Sequence, residues 1–112
     1  MVVKFMEKEI EIAKNVIIQE IGKCGLKIDE IFLFGSRAKG NFDKDSDWDF
    51  FVIINKNIDF HQKRKIILNI RRRLSEIKLP SDIIIQSRDV VNQRKTNTGY
   101  LTYYVVKEGV RI

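Results

Sequence analysis

Apolar residues recur every three or four positions near the start of the chain, which predicts an amphipathic helix over residues 6–23. Its apolar face comprises Ile10, Ala13, Ile17 and Ile21. The same spacing returns over residues 59–77 and predicts a second helix. The side chains that this pattern turns toward the core are Phe60, Ile67, Ile70, Leu74 and Ile77. Two further helical pieces are predicted over residues 88–96 and 98–108, with Gly109 near the end of the second.

Three short apolar runs lie between these helices and predict β-strands. They cover residues 27–35 (KIDEIFLFG), 47–54 (DWDFFVII) and 81–87 (SDIIIQS). Residues 36–40 predict a turn or short helix, and residues 42–46 predict a polar loop. The order of elements is typical of an α/β (α+β) protein, with a small mixed sheet of about three to four strands flanked by helices.

Length and composition indicate one globular domain over residues 1–112. The chain is 44% hydrophobic and 32% charged, which suits a single core. No apolar run approaches the roughly 20 residues of a membrane helix. The charged N-terminus lacks the apolar centre of a signal peptide, so a cytoplasmic protein without membrane contact is expected. The single cysteine, Cys24, excludes an internal disulfide framework.

The net charge of +6 is unevenly distributed. Residues 1–57 hold nine basic and ten acidic residues, a balance of −1, whereas residues 58–112 hold twelve and five, a balance of +7. An acidic segment in the first half therefore accompanies a basic second half. This balance favours an anionic substrate or partner, such as a nucleotide, a nucleic acid or an acidic protein surface.

The acidic segment, residues 33–53 (LFGSRAKGNFDKDSDWDFFVI), does not match two familiar loops. Its glycines at 35 and 40 lack the Lys-Ser/Thr pair of a phosphate-binding P-loop. Its alternating aspartates resemble the start of a calcium-binding loop. However, Trp48 stands where that loop needs glycine, and Ile54 stands where it needs glutamate.

A pair of carboxylates on a strand explains the segment differently. Asp47 and Asp49 are two residues apart, so a strand would place them on one face, about 7 Å apart. Asp82 opens the next predicted strand and joins them if the two strands are neighbours. Like charges so close are costly to desolvate, and a hard cation such as Mg²⁺ or Mn²⁺ relieves that cost. The spacing alone leaves open that these acids are solvated at the strand ends.

The string Gly35-Ser36, ten intervening residues, Asp47-x-Asp49 and the later Asp82 resembles the nucleotidyltransferases of the DNA polymerase beta superfamily. It is most similar to their minimal nucleotidyltransferases, and the resemblance covers nearly the whole chain. It implies that Asp47, Asp49 and Asp82 hold two Mg²⁺ ions, with Mn²⁺ as a substitute. It also implies that Asp82 takes the proton from the attacking hydroxyl, and that Gly35, Ser36 and Arg37 contact the nucleotide. For Arg37, a solvated position in the turn is the competing interpretation.

The resemblance also implies a reaction and a partner. The expected reaction is the transfer of a nucleoside monophosphate, AMP from ATP, to a hydroxyl acceptor. Minimal nucleotidyltransferases often accompany a helical HEPN-domain toxin, so an antitoxin that adenylylates a tyrosine of that toxin in a hetero-oligomer is implied. Two other hypotheses stay open: an antitoxin that inhibits by binding alone, and a basic module that binds RNA. RNA is less favoured, because the sequence has no recognisable RNA-reading motif.

Overall fold

Alternating helices and strands follow the predicted order in the computed structural model, which describes residues 6–112. In chain order they are α1 (Glu7–Lys23), β1 (Ile28–Phe34), α2 (Gly35–Lys39), β2 (Trp48–Ile54), α3 (Phe60–Glu76), β3 (Ser81–Ser87), α4 (Arg88–Arg94), α5 (Leu101–Glu108) and β4 (Val110–Arg111). The side chain of Asp59 caps α3 by accepting from the Gln62 amide at 2.7 Å. In the same way Ser87 caps α4.

The strands form a four-stranded mixed sheet in the order β3-β2-β1-β4. Strand β1 pairs antiparallel with β2 and β4, whereas β2 pairs parallel with β3. A parallel pair needs a long crossover, and α3 supplies it between β2 and β3. The predicted fold class, a small mixed sheet flanked by helices, is confirmed.

Helices cover both faces of the sheet, so β2 is apolar on both sides. On one face Phe50 and Val52 pack with residues of α1 and α3, such as Ile17 and Ile70. On the other face the core consists of Phe32, Phe51, Ile53, Val91 and Val105, and the last two belong to α4 and α5. The side chains along β2 therefore alternate between two hydrophobic cores, and Asp49 is the one polar residue of the strand.

Two expectations from the sequence are wrong in detail. The apolar spacing predicts that Phe60 and Ile77 face the core, but both are exposed, Phe60 by 68%. They lie at the first residue of α3 and just beyond its last, where no neighbouring element covers them. The fourth strand, β4, agrees with the predicted three to four strands, but the sequence does not locate it, because a two-residue strand has no periodic pattern.

Across the described part of the chain, no helix is long and apolar enough to cross a membrane.

Candidate active site

The parallel pairing of β2 and β3 brings two predicted site residues to the same end of the sheet. Asp49 lies opposite Asp82 in the register of the two strands. Trp48 begins β2, so Asp47 directly precedes the strand instead of forming its first residue as predicted. Asp47 and Asp82 are exposed, whereas Asp49 is half-buried. The three aspartates therefore lie at the same end of these two strands, here called the acidic edge, with Asp49 nearest the protein interior.

Gly35 lies against Asp49 from the neighbouring strand. Strand β1 ends at Phe34, the antiparallel partner of Asp49, and Gly35 follows with φ at +74°. A Cβ atom built on Gly35 would overlap Asp49 Oδ2 and lie 3.1 Å from its Cγ. Glycine is needed here for two reasons, because the backbone is left-handed and because the Asp49 carboxylate occupies the space of a side chain.

The electrostatics of this edge are unfavourable to the charged form of Asp49. Burial raises the pKa of the Asp49 carboxyl, and the charges of Asp82 and Asp47 raise the pKa further. Each of the three causes favours a protonated carboxyl. A bound cation would reverse the balance, because it attracts the carboxylates that otherwise repel one another.

Asp82 makes a different contact in the described structure. Its Oδ1 lies 3.8 Å from Arg71 Nη2, and Arg71 Nε donates to the Ser81 carbonyl oxygen at 3.0 Å. Within residues 6–112, no three acidic, histidine or cysteine side chains are close enough together to hold a metal ion. The donor chemistry fits a hard cation, since all three candidates are carboxylates at one edge of the sheet. The side chains themselves are not gathered to coordination distance.

The remaining predicted residues lie in and around α2. Ser36 follows Gly35 in the first turn and is half-buried, and its carbonyl oxygen accepts from the amides of Gly40 and Asn41. Arg37 is only 8% exposed, which corrects the interpretation of a solvated turn residue. Its guanidinium contacts the loop before β2. Contact of these residues with a nucleotide stays a prediction.

Arg71 is a neighbour of the site that the sequence pattern does not identify. The apolar spacing of α3 places Arg71 on the outward face of the helix, and its side chain is indeed about half exposed. Only the crossover from β2 through α3 to β3 brings it beside Asp82, 11 positions later in the chain. This contact depends on how α3 packs on β3 in three dimensions, and the spacing of residues along the chain does not show that packing.

Comparison with known proteins places this geometry in a family. The profile of the family described as "Polymerase beta, Nucleotidyltransferase" matches residues 16–112. A relative from Methanocaldococcus jannaschii, "Putative protein adenylyltransferase MJ0141", is 29% identical over 75 residues, which cover 67% of this chain and 70% of that protein.

Among solved structures, the fold is similar to a toxin–antitoxin crystallised with AMP-PNP. That match has a TM-score of 0.56 and 24% identity, and it covers 87% of this chain and 69% of that one. A mutant of the toxin–antitoxin MntA-HpeT matches with a TM-score of 0.52 and 20% identity, over 87% of this chain and 69% of that one. At these identities the structural matches establish the fold.

Proposed function

Because the chain belongs to the polymerase beta nucleotidyltransferase family and is a nucleotidyltransferase, we propose that it transfers AMP from ATP to a hydroxyl group of a partner protein. The proposed acceptor is a tyrosine of a HEPN-domain toxin, so that the modification silences the toxin and the chain acts as an antitoxin. We further propose that residues 1–112 act as one minimal nucleotidyltransferase domain in a cytoplasmic hetero-oligomer.

One observation carries the proposal: Asp82 lies opposite Asp49 in the strand register, Asp47 directly precedes the same strand, and Gly35 lies against the Asp49 carboxylate. Structural acids are normally paired with cations or hydrogen-bond donors. The pKa of Asp49 is instead raised by burial and by Asp82 and Asp47. Such an arrangement is typical of an active site that receives cations together with a nucleotide.

In the proposed reaction, Asp47, Asp49 and Asp82 would hold two Mg²⁺ ions, or Mn²⁺ in their place. When bound, such ions stabilise the charge that develops on the attacking and leaving oxygens of a phosphoryl-type displacement. Asp82 must turn from Arg71 toward Asp49 to join the other two carboxylates. The Asp82 side chain is free to make this rotation, because it is more than half exposed to solvent.

The protein residues then position the reactants. The acceptor oxygen attacks the α-phosphorus, a new phosphorus–oxygen bond forms, and the bond from the α-phosphorus to the bridging oxygen of the β-phosphate breaks. Pyrophosphate leaves, and the hydroxyl proton passes to the Asp82 carboxylate. Gly35 lets the backbone approach the triphosphate, and the Ser36 hydroxyl donates to it. Correct positioning accounts for much of the rate of such a displacement.

The comparisons support parts of this proposal. The relative named as a protein adenylyltransferase supports AMP transfer to a protein. The toxin–antitoxin with AMP-PNP supports a nucleotide and a toxin partner, through the shared fold. The tyrosine acceptor, the HEPN class of the toxin and the metal requirement come from the family resemblance of the Gly35-Ser36 and Asp47-x-Asp49 motifs.

The test is to incubate the chain with ATP and Mg²⁺, with and without the protein encoded by the adjacent gene, and to measure intact masses. We expect one or more AMP units on the partner, and no gain for Asp47→Asn or after removal of divalent cations. The matched control is Asp45→Asn, which removes the same charge from the same loop at an exposed position outside the proposed site.

Two outcomes would overturn the proposal. If Asp47→Asn silences the partner as well as the wild type does, the chain inhibits by binding alone. If neither chain gains mass while the chain binds RNA with salt-dependent affinity, the basic second half is the functional surface instead.

A further inference from the structure

Arg37 is a buried cation in α2 whose side chain contacts the loop that leads into β2. Its guanidinium lies over two aromatic rings, with Cζ 4.3 Å from the centroid of Trp48 and 4.8 Å from that of Phe42. It stacks on both rings, which is an arrangement that arginine favours over lysine. Because the residue is almost fully buried, packing fixes the side chain in place.

Two nitrogen atoms of Arg37, Nε and Nη2, contact the backbone of the loop between α2 and β2. Nε donates to the Ser46 carbonyl oxygen at 3.1 Å, and Nη2 donates to the same oxygen at 2.9 Å. Nη2 also lies 3.4 Å from the carbonyl oxygen of Asp43. The loop adds its own bonds, from the Asp43 amide to Ser46 Oγ at 3.1 Å and from the Ser46 amide to the Asp43 carbonyl at 3.2 Å.

Ser46 immediately precedes Asp47. The two hydrogen bonds from Arg37 to the Ser46 carbonyl oxygen therefore fix the position of the backbone at Asp47. Arg37 itself lies two residues after Gly35, in the short helix that follows β1. One guanidinium therefore joins the segment that carries Gly35 and Ser36 to the segment that carries Asp47. Nε and Nη2 of Arg37 donate to backbone carbonyl oxygens, whereas a bidentate phosphate contact would require two donors of the guanidinium to be presented to the site.

We propose that Arg37 is a positioning residue for the acidic site: it clamps residues 43–46 and thereby holds Asp47 in register with Asp49. This role differs from the direct phosphate contact implied by the family resemblance. The inference rests on the proposed function, in which Asp47 and Asp49 bind divalent cations. It predicts that Arg37 controls cation affinity in the absence of any nucleotide.

The sign of that effect separates the two roles. Removing a nearby positive charge strengthens the attraction of a carboxylate site for a cation. A phosphate-binding Arg37 therefore predicts unchanged or tighter Mn²⁺ binding in Arg37→Gln when no nucleotide is present. A positioning Arg37 predicts weaker binding, by about 10- to 100-fold, as for other residues that orient metal ligands. Arg37→Lys keeps the charge but loses the fork and the stacking, so it should restore little of the affinity.

The experiment measures Mn²⁺ affinity by calorimetry without nucleotide, and amide hydrogen exchange of residues 42–47 without metal. In Arg37→Gln we expect weaker Mn²⁺ binding and exchange at least about tenfold faster in the loop. The matched control is Arg73→Gln, which removes a partly buried arginine whose side-chain partners, Glu20 and Gln19, lie outside the loop. It should lower stability without either change.

If Arg37→Gln does not fold, Ser46→Ala takes its place. It removes the hydroxyl that accepts from the Asp43 amide and leaves Arg37 intact, and it should weaken Mn²⁺ binding in the same direction by a smaller factor. Unchanged loop exchange, unchanged or tighter Mn²⁺ binding, or full recovery in Arg37→Lys would overturn the proposal. A wild-type protein that binds no Mn²⁺ would instead overturn the proposed function, while faster exchange in Arg37→Gln would still support the clamp.

Discussion

Two carboxylates in this molecule differ in how their charge is balanced. Glu20 is 6% exposed between α1 and α3, and accepts from Lys23 Nζ at 2.9 Å and from Arg73 Nη1 at 2.7 Å. These bonds lower the pKa of Glu20, with Lys23 as the largest cause, although burial acts in the opposite direction. Asp49 is half-buried at the edge of the sheet, and its pKa is raised by burial, Asp82 and Asp47.

The difference separates a carboxylate that stabilises the fold from one that we propose takes part in the reaction. The cations beside Glu20 come from the protein itself, so its charge is satisfied as soon as the chain folds. Burial, Asp82 and Asp47 increase the electrostatic cost of ionising Asp49, and a bound cation would reduce that cost. Charge arrangements of this kind are typical of active sites.

The largest expected effect is the loss of activity in Asp49→Asn. A metal that stabilises transition-state charge supplies several kcal/mol, so AMP transfer should fall on the order of 10³-fold. The measurement is the rate of label transfer from ATP at saturating Mg²⁺. Asp45→Asn should stay near the wild-type rate, and an equal loss in that control would mean that general loop charge, and not the site, matters.

The second effect tests the contact between Gly35 and Asp49. Gly35→Ala should lower the transfer rate on the order of 10²-fold, because the new Cβ displaces the carboxylate. Gly25→Ala is the control, since Gly25 has φ at +72° but no atom within 4 Å of the point where a Cβ would lie. Both variants should lose about 1 kcal/mol of stability from the left-handed backbone. Equal activity in the two variants would contradict the role of the contact.

The third effect concerns stability at Glu20. Glu20→Gln keeps the shape but weakens two charge-assisted bonds, and should lower the free energy of unfolding by about 1–3 kcal/mol. Urea unfolding at pH 7 measures it, and transfer activity at low temperature should be unchanged. In the control Glu76→Gln, only an exposed pair with Arg72 at 4.0 Å is lost, so the change should stay within about 0.5 kcal/mol.

The smallest effect is a difference in pH dependence, measured by urea unfolding without divalent cations. The lowered pKa of Glu20 gives stability that is present above its usual value of about 4.3 and is lost as the pH falls through the lowered pKa. The raised pKa of Asp49 acts in the opposite sense, because stability present below about 3.9 is lost as the pH rises through the raised pKa.

Asp49→Asn should therefore match the wild type in acid and exceed it by about 1 kcal/mol near pH 7. Glu20→Gln should differ most from the wild type near pH 7 and least in acid. The same pH profile for both variants would contradict the distinction between the two carboxylates.

Much of this molecule can be predicted from the sequence, because local spacing carries the information. The periodic apolar residues predict the helices, and the run that follows Asp49 predicts the buried strand. The sequence places Asp82 beside Asp49 only if β2 and β3 are neighbouring strands, and the observed register confirms that they are. Contacts between distant residues are not predictable in this way. The stacking of Arg37 on Phe42 and Trp48 depends on how the loop folds back, and the contact of Arg71 with Asp82 depends on the crossover.

The most direct test of the central claim is the unfolding midpoint of the wild type and of Asp49→Asn as Mg²⁺ is added without nucleotide. We expect the wild-type midpoint to begin lower and to rise with Mg²⁺. At 100 times the dissociation constant, the free energy of unfolding should have increased by about 2.7 kcal/mol. Asp49→Asn should begin higher and respond little. A wild-type midpoint that does not change with Mg²⁺, or an equal rise in the two proteins, would contradict the claim that the acidic edge is a cation site.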